Sequence, residues 1–246
     1  MTAIALANAR CSHRDTILTD MSDDKLSLDD PRLKTAEENA LALEVCLSHI
    51  ERSAPVSNDK WLVTSLLKST RRAYGHLRNG WPNDSTYTAW ACRNLLELRV
   101  FTKYIVRSSD DRKRFISHLV LDFEQSTEAQ KKLTAQVAPE LSLDDNDSLL
   151  GELRTIKQNL GFVENRYLSA ADLAKELNLE EEFGVMNKIC SKLVHPTALS
   201  ILLIDLAPQT KRDVLLLHGC AYLEKLLRDI LPFAETLAPP GVHQRP

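Results

Sequence analysis

Glycine is scarce in this chain, with seven in 246 residues. Sheet turns, bulges and phosphate-cradling loops all draw on glycine. The scarcity therefore argues against strand-rich folds and for helices joined by short connections. Long apolar runs are missing as well. The longest, such as ALSILLI at 198–204, fall far below the span of a bilayer, so no membrane partner is expected.

Five cysteines, Cys11, Cys46, Cys92, Cys190 and Cys220, form no C-x-x-C pair, and the last four sit in apolar helical runs. That pattern reads as buried free thiols in a reducing compartment. The opening MTAIALANAR has neither a positive n-region nor a full apolar core, so it does not read as a signal peptide. A soluble, cytoplasmic protein is the expectation. Also absent are H-E-x-x-H, G-x-x-x-x-G-K-[ST], G-x-G-x-x-G and G-x-S-x-G. DDNDSLLGE places leucine where a calcium loop needs an oxygen ligand and a glycine, and His218 and Cys220 are two apart on a helix, on different faces. No metal and no cofactor are expected.

Net charge is −3, which makes no global case for nucleic acid. The charge is unevenly spread, however. Residues 59–114 hold 12 Lys/Arg against 5 Asp/Glu, and residues 122–182 hold 6 against 14. The first stretch can meet phosphates, or it can face the second within the fold.

What is present is helical periodicity. Residues 1–34 show none and read as a flexible arm, and 239–246 read as a tail. From Thr35, Ala36, Ala40, Leu43 and Leu47 recur at three- and four-residue steps. A second helix opens at Ser57/Asn58 and stops at Gly80, a third runs from about Asp84 to Arg107, and a fourth follows a Ser108/Asp110 cap to about Gln136. Pro139 and its polar neighbours break the pattern, so 137–147 is a candidate sub-boundary within a 35–238 domain. Further helices end at Gly161, near Asn178 and at His195. The run 196–208 is short and apolar and is expected to be buried, and a last long helix reaches Leu237. The fold class is all-α: an antiparallel helical bundle of about five long helices with additional short helices.

Two groups of residues carry the functional argument. On the third helix, Arg93, Glu97 and Tyr104 form one stripe with Trp90 and Val100. This helix is apolar round most of its circumference, so Arg93 and Glu97 are expected in a buried polar network. In SKLVHPTALS, residues 191–200, His195 precedes a proline that disfavours αR, which puts it at a helix joint with Pro196 opening the next helix. Lys188, Lys192 and His195 share one face. That face is either a solvated helix side or a cationic pocket able to hold a phosphate.

CRNLLELRVFTKYI, followed about a hundred residues later by ICSKLVHPT, resembles uncharacterised bacterial helical proteins related to the HEPN superfamily. The resemblance covers roughly residues 60–230. It implies a helical, often homodimeric protein, in many members a metal-independent ribonuclease of toxin or phage-defence systems. The family motif is an arginine followed by four to six residues and a histidine. The chain departs from it at His195, since residues 188–190 are Lys, Ile and Cys. Arg71/His76, Arg112/His118 and Arg212/His218 do have the spacing.

The function expected is a HEPN-like protein of bacterial stress or phage defence, binding RNA or a phosphate-bearing ligand such as a nucleotide. Its pocket would be formed by Arg93, Glu97, Tyr104, Lys188, Lys192 and His195. As a ribonuclease, His195 would be the general acid or base and Arg93 or Lys192 would stabilise the phosphate. A non-catalytic interaction module is the third reading. No residue pattern decides whether the chain is an enzyme.

Overall fold

In a computed structural model, residues 26, 27, 29–137, 144–161, 168–195 and 209–238 are described. Among them are eight helices and no strand: α1 Pro31–Ser53, α2 Asn58–Gly80, α3 Ser85–Arg107, α4 Ser109–Val137, α5 Asp144–Asn159, α6 Ala170–Glu176, α7 Glu180–Val194 and α8 Gln209–Leu237. The fold is all-α, and among the described residues five helices are long and three shorter.

Short polar side chains set the helix starts. The Ser57 hydroxyl accepts from the Lys60 N–H at 3.1 Å, the Asp84 carboxylate from the Tyr87 N–H at 2.8 Å, and the Ser108 hydroxyl from the Asp111 N–H at 3.0 Å. Each satisfies a backbone donor that the first turn leaves without a partner. The arm expected over 1–34 ends earlier than periodicity indicates. Asp30 caps Arg32 at 2.8 Å and Pro31 takes the first helical position, so α1 begins four residues before Thr35. Leu33 of that first turn is buried three residues before Ala36, one apolar step that the period from Ala36 onward leaves out. At the other ends, Gly161 (φ 65°) and Asn178 (φ 56°) adopt the left-handed conformation that stops α5 and turns the chain between α6 and α7. The expected buried run at 196–208, the tail and most of the N-terminal arm lie outside the described residues.

α3 is the central helix and packs against α2, α4, α6, α7 and α8. Its buried stripe of Ala89, Cys92, Leu96 and Val100 meets Leu223, Leu226 and Leu227 of α8 in one continuous core. Ion pairs give directions. Glu37–Arg78 and Glu44–Arg71 make α1 and α2 antiparallel. α8 is the exception to that pattern. Its start reaches Leu26, whose N–H points at Asp213, and its end reaches His49, which donates to the Ala238 carbonyl at 2.8 Å. α8 therefore runs parallel to α1.

A close approach of α2 to α8 makes this packing: Gly219 lies against Leu77, where an added Cβ would collide with the leucine methyls. α4 and α5 form a hairpin with its own small core of Val120, Leu150 and Leu153. The basic and acidic halves of the sequence meet where α3 faces α6 and α7, through Arg99–Glu182 at 2.6 Å and Arg107–Glu176 at 2.5 Å.

Candidate functional site

α3 and α7 pack antiparallel, with Arg99 opposite Glu182 at one end and Arg93 opposite Ser191 at the other. Arg93 Nε donates to Glu97 Oε1 at 2.9 Å, and its Nη1 donates to Ser191 Oγ at 3.4 Å. The seam thus joins two segments about a hundred residues apart in sequence. Directly beneath it, Cys92 and Cys190 are both fully buried. A hydrogen bond from Cys92 to Cys190 holds the Cys190 thiol below its ordinary pKa, helped by Arg93 and opposed by burial, and pushes Cys92 well up.

Other expected site residues are placed less closely. Lys188, Lys192 and His195 are all exposed along α7. His195 closes that helix in an extended conformation (φ −89°, ψ 147°), as a residue before proline should, and its N–H donates to the Ser191 carbonyl at 3.1 Å. Tyr104 does not join this group. It is buried about 16 Å along the α3 axis from Arg93. There it sits under the Arg107 guanidinium at 5.1 Å. Burial and the neighbouring Asp111 carboxylate push its hydroxyl up to about 12. Sharing a helix stripe gives two residues the same direction, not the same place.

The expected deep burial of Arg93 and Glu97 is also corrected. Their side chains are 30% and 28% exposed, and Trp90 beside them is 39% exposed. α3 turns this face outward because its apolar stripe is already covered by α2 and α8. The arginine that is buried is Arg99, 7% exposed. Its Nη1 lies 2.6 Å from Glu182 Oε2, and Lys225 Nζ donates to Glu182 Oε1 at 3.0 Å. The Tyr222 ring lies 5.8 Å from the Arg99 guanidinium, and His218 lies 6.1 Å from that ring. Burial alone would raise the Glu182 carboxyl, but the hydrogen bonds and charges of Arg99 and Lys225 outweigh it and hold the group below its ordinary value. Burial lowers His218, against the pull of Glu182. The clue to Arg99 stands in the sequence: it occupies the apolar stripe Cys92, Leu95, Leu96, where a charge must be buried.

A second feature lies at the start of α3. Tyr87 and Trp90 stack with ring planes 5° apart and centroids 5.8 Å apart. His76 of α2 meets both edge-on at 5.3 Å and is hydrogen-bonded through Nδ1 to the Tyr87 hydroxyl. Arg93 follows Trp90 by three positions, so the guanidinium and the exposed indole share one side of α3. Arg72, one turn from His76 on α2, and Lys188 of α7 are exposed, on helices that both pack against α3. Aromatic planes next to cations can hold a base and its phosphate. Tyr87 stands three residues before Trp90 on the same helix, a local pair, whereas the contact of both with His76 needs the α2–α3 packing.

Among the described residues, no three His, Cys, Asp or Glu side chains gather as a metal site would require. No helix there is long and apolar enough to cross a membrane. No family model, curated protein or solved structure matches the chain.

Proposed function

We propose that this protein binds single-stranded RNA or a nucleotide on the face formed by the end of α2, the start of α3 and the C-terminal half of α7, and does not cleave it. The observation that carries this reading is the Tyr87–Trp90 stack, open to solvent at Trp90 and followed by Arg93. A base lying on the free side of the indole contributes about 1–3 kcal/mol by stacking, whatever its identity. Glu97 and Ser191 engage Nε and Nη1 of Arg93, which fixes the guanidinium plane and leaves Nη2 for a phosphate oxygen. Exposed Arg72 and Lys188, on the two other helices of this face, would supply further cations to phosphates. The non-catalytic part of the reading rests on the spacing at His195: residues 188–190 are Lys, Ile and Cys, so no arginine stands where the ribonuclease motif would place it.

Fluorescence anisotropy with a labelled oligouridine tests the reading. Binding should weaken as salt rises, and Trp90→Ala and Arg93→Ala should each lower affinity by roughly tenfold, or about 1.4 kcal/mol. The oligonucleotide should stay intact with or without EDTA. Absence of binding at low salt, or equal affinity in Trp90→Ala, would refute the site. Cleavage that survives EDTA and vanishes in His195→Ala would make the protein a ribonuclease.

A further inference from the structure

Two contacts set the register of the antiparallel pair α3 and α7: Arg99 with Glu182, and Arg93 with Ser191. In that register Cys92 and Cys190, each the residue just before one end of the second contact, stand at the same height. Both are fully buried, and the Cys92 thiol donates to Cys190. Packed helices lie about 8–10 Å apart, with Cα atoms about 2.3 Å from each axis. At the wider spacing, facing Cα atoms are about 5 Å apart, within the about 4.4–6.8 Å that a disulfide spans. The other described cysteines differ. For Cys46 and Cys220 burial dominates and pushes the thiols up to about 11 and about 12, which leaves them inert. Cys190 is the opposite case, since the hydrogen bond from Cys92 and the charge of Arg93 hold it below its ordinary value against burial.

We infer that Cys92 and Cys190 are a dithiol site for hydrogen peroxide, closing to a disulfide that joins α7 to α3 directly beneath the Arg93–Ser191 contact. The Cys190 thiolate is the nucleophile. It attacks one peroxide oxygen, the O–O bond breaks, and the departing hydroxide takes a proton to become water, leaving Cys190 as a sulfenic acid. The Cys92 sulfur then attacks Sγ of Cys190. The S–O bond breaks, and the leaving hydroxide takes the Cys92 proton as a second water. Two thiols are thus oxidised to one disulfide while one peroxide is reduced to two waters. Val185 and Ile189 on the outer side of α7 are 58% and 43% exposed, so one helix layer separates the pair from solvent there. Hydrogen peroxide is little larger than water and crosses that layer in local openings too small for a bulky aromatic reagent. The step needs no nucleic acid. Its product closes a loop of about a hundred residues, long enough for the cross-link to restrict the unfolded chain strongly.

The test treats the full chain, reduced and then freed of reductant, with a small molar excess of hydrogen peroxide under native conditions. Intact mass should fall by two hydrogen atoms. Non-reducing tryptic mapping should join peptides 79–93 and 189–192, which hold Cys92 and Cys190 and no other cysteine. Tm should rise by about 5–15 °C, and dithiothreitol should reverse both changes. Cys46→Ala should keep the linked peptide and Cys92→Ala should abolish it. The wild-type map needs no variant, so a fold damaged by substitution cannot hide the result. Free thiols at both positions after peroxide overturn the proposal, as does a disulfide that engages Cys11, Cys46 or Cys220 instead. Oxygen added to either sulfur without a cross-link, or a cross-link that forms only in urea, overturns it equally.

Discussion

Glu182→Gln and Glu97→Gln are the same chemical change at two ends of one seam, and they should differ several-fold in cost. Each removes a carboxylate that pairs with an arginine of α3. At Glu97 the partner, Arg93, is 30% exposed and can turn to water. An i,i+4 pair of that kind, with arginine placed first, contributes about 0.2–0.5 kcal/mol. At Glu182 the partner, Arg99, has no such escape, and the carboxylate also holds Lys225. Removing one member of a buried pair costs about 3–5 kcal/mol, because the remaining charge stays out of water. Glu182 is itself one-third exposed, which puts the value at the low end, about 3 kcal/mol.

For a chain of this length each kcal/mol shifts Tm by about 2–4 °C, so the expected losses are about 6–12 °C for Glu182→Gln and about 0.4–2 °C for Glu97→Gln. Thermal melts followed by circular dichroism read both. Arg99→Met combined with Glu182→Gln should recover most of the loss, since the buried cation is gone and its volume is kept. Equal shifts in the two single variants would show that burial of Arg99 does not set the energy of the pair.

The same carboxylate should govern part of the acid stability. Its folded pKa is depressed, so its contribution is present above the unfolded value of about 4.3 and is lost as pH falls through the folded one. The Tm gap between wild type and Glu182→Gln should therefore close below about pH 4, and a gap that stays constant through further acidification would contradict this. Gly219→Ala drives a methyl into Leu77 and should cost about 1–3 kcal/mol, measured by urea denaturation. Cys46, Cys92, Cys190 and Cys220 are all buried, so Ellman's reagent should leave these four unmodified in the native protein and label them after unfolding.

Local chemistry makes most of the helices legible in the sequence. Capping side chains such as Ser57, Asp84 and Ser108 act within three residues, and the stops at Gly161 and Asn178 depend on the backbone freedom of a single position. Periodicity likewise identifies which sides of α2 and α3 are apolar. It does not supply distance along an axis or the choice of partner. Arg93 and Tyr104 share a stripe yet stand about 16 Å apart, so they belong to different networks. The burial of Arg99 is legible in its place on the apolar stripe of Cys92, Leu95 and Leu96, whereas its partners Glu182 and Lys225 come from α7 and α8 and are not.

The parallel course of α8 alongside α1, the packing of His76 against Tyr87 and Trp90, and the meeting of Arg93 with Ser191 are decided only in the tertiary structure. Each joins elements whose relative placement depends on the whole core packing at once. The residues at those contacts exert no force on one another until the helices have docked.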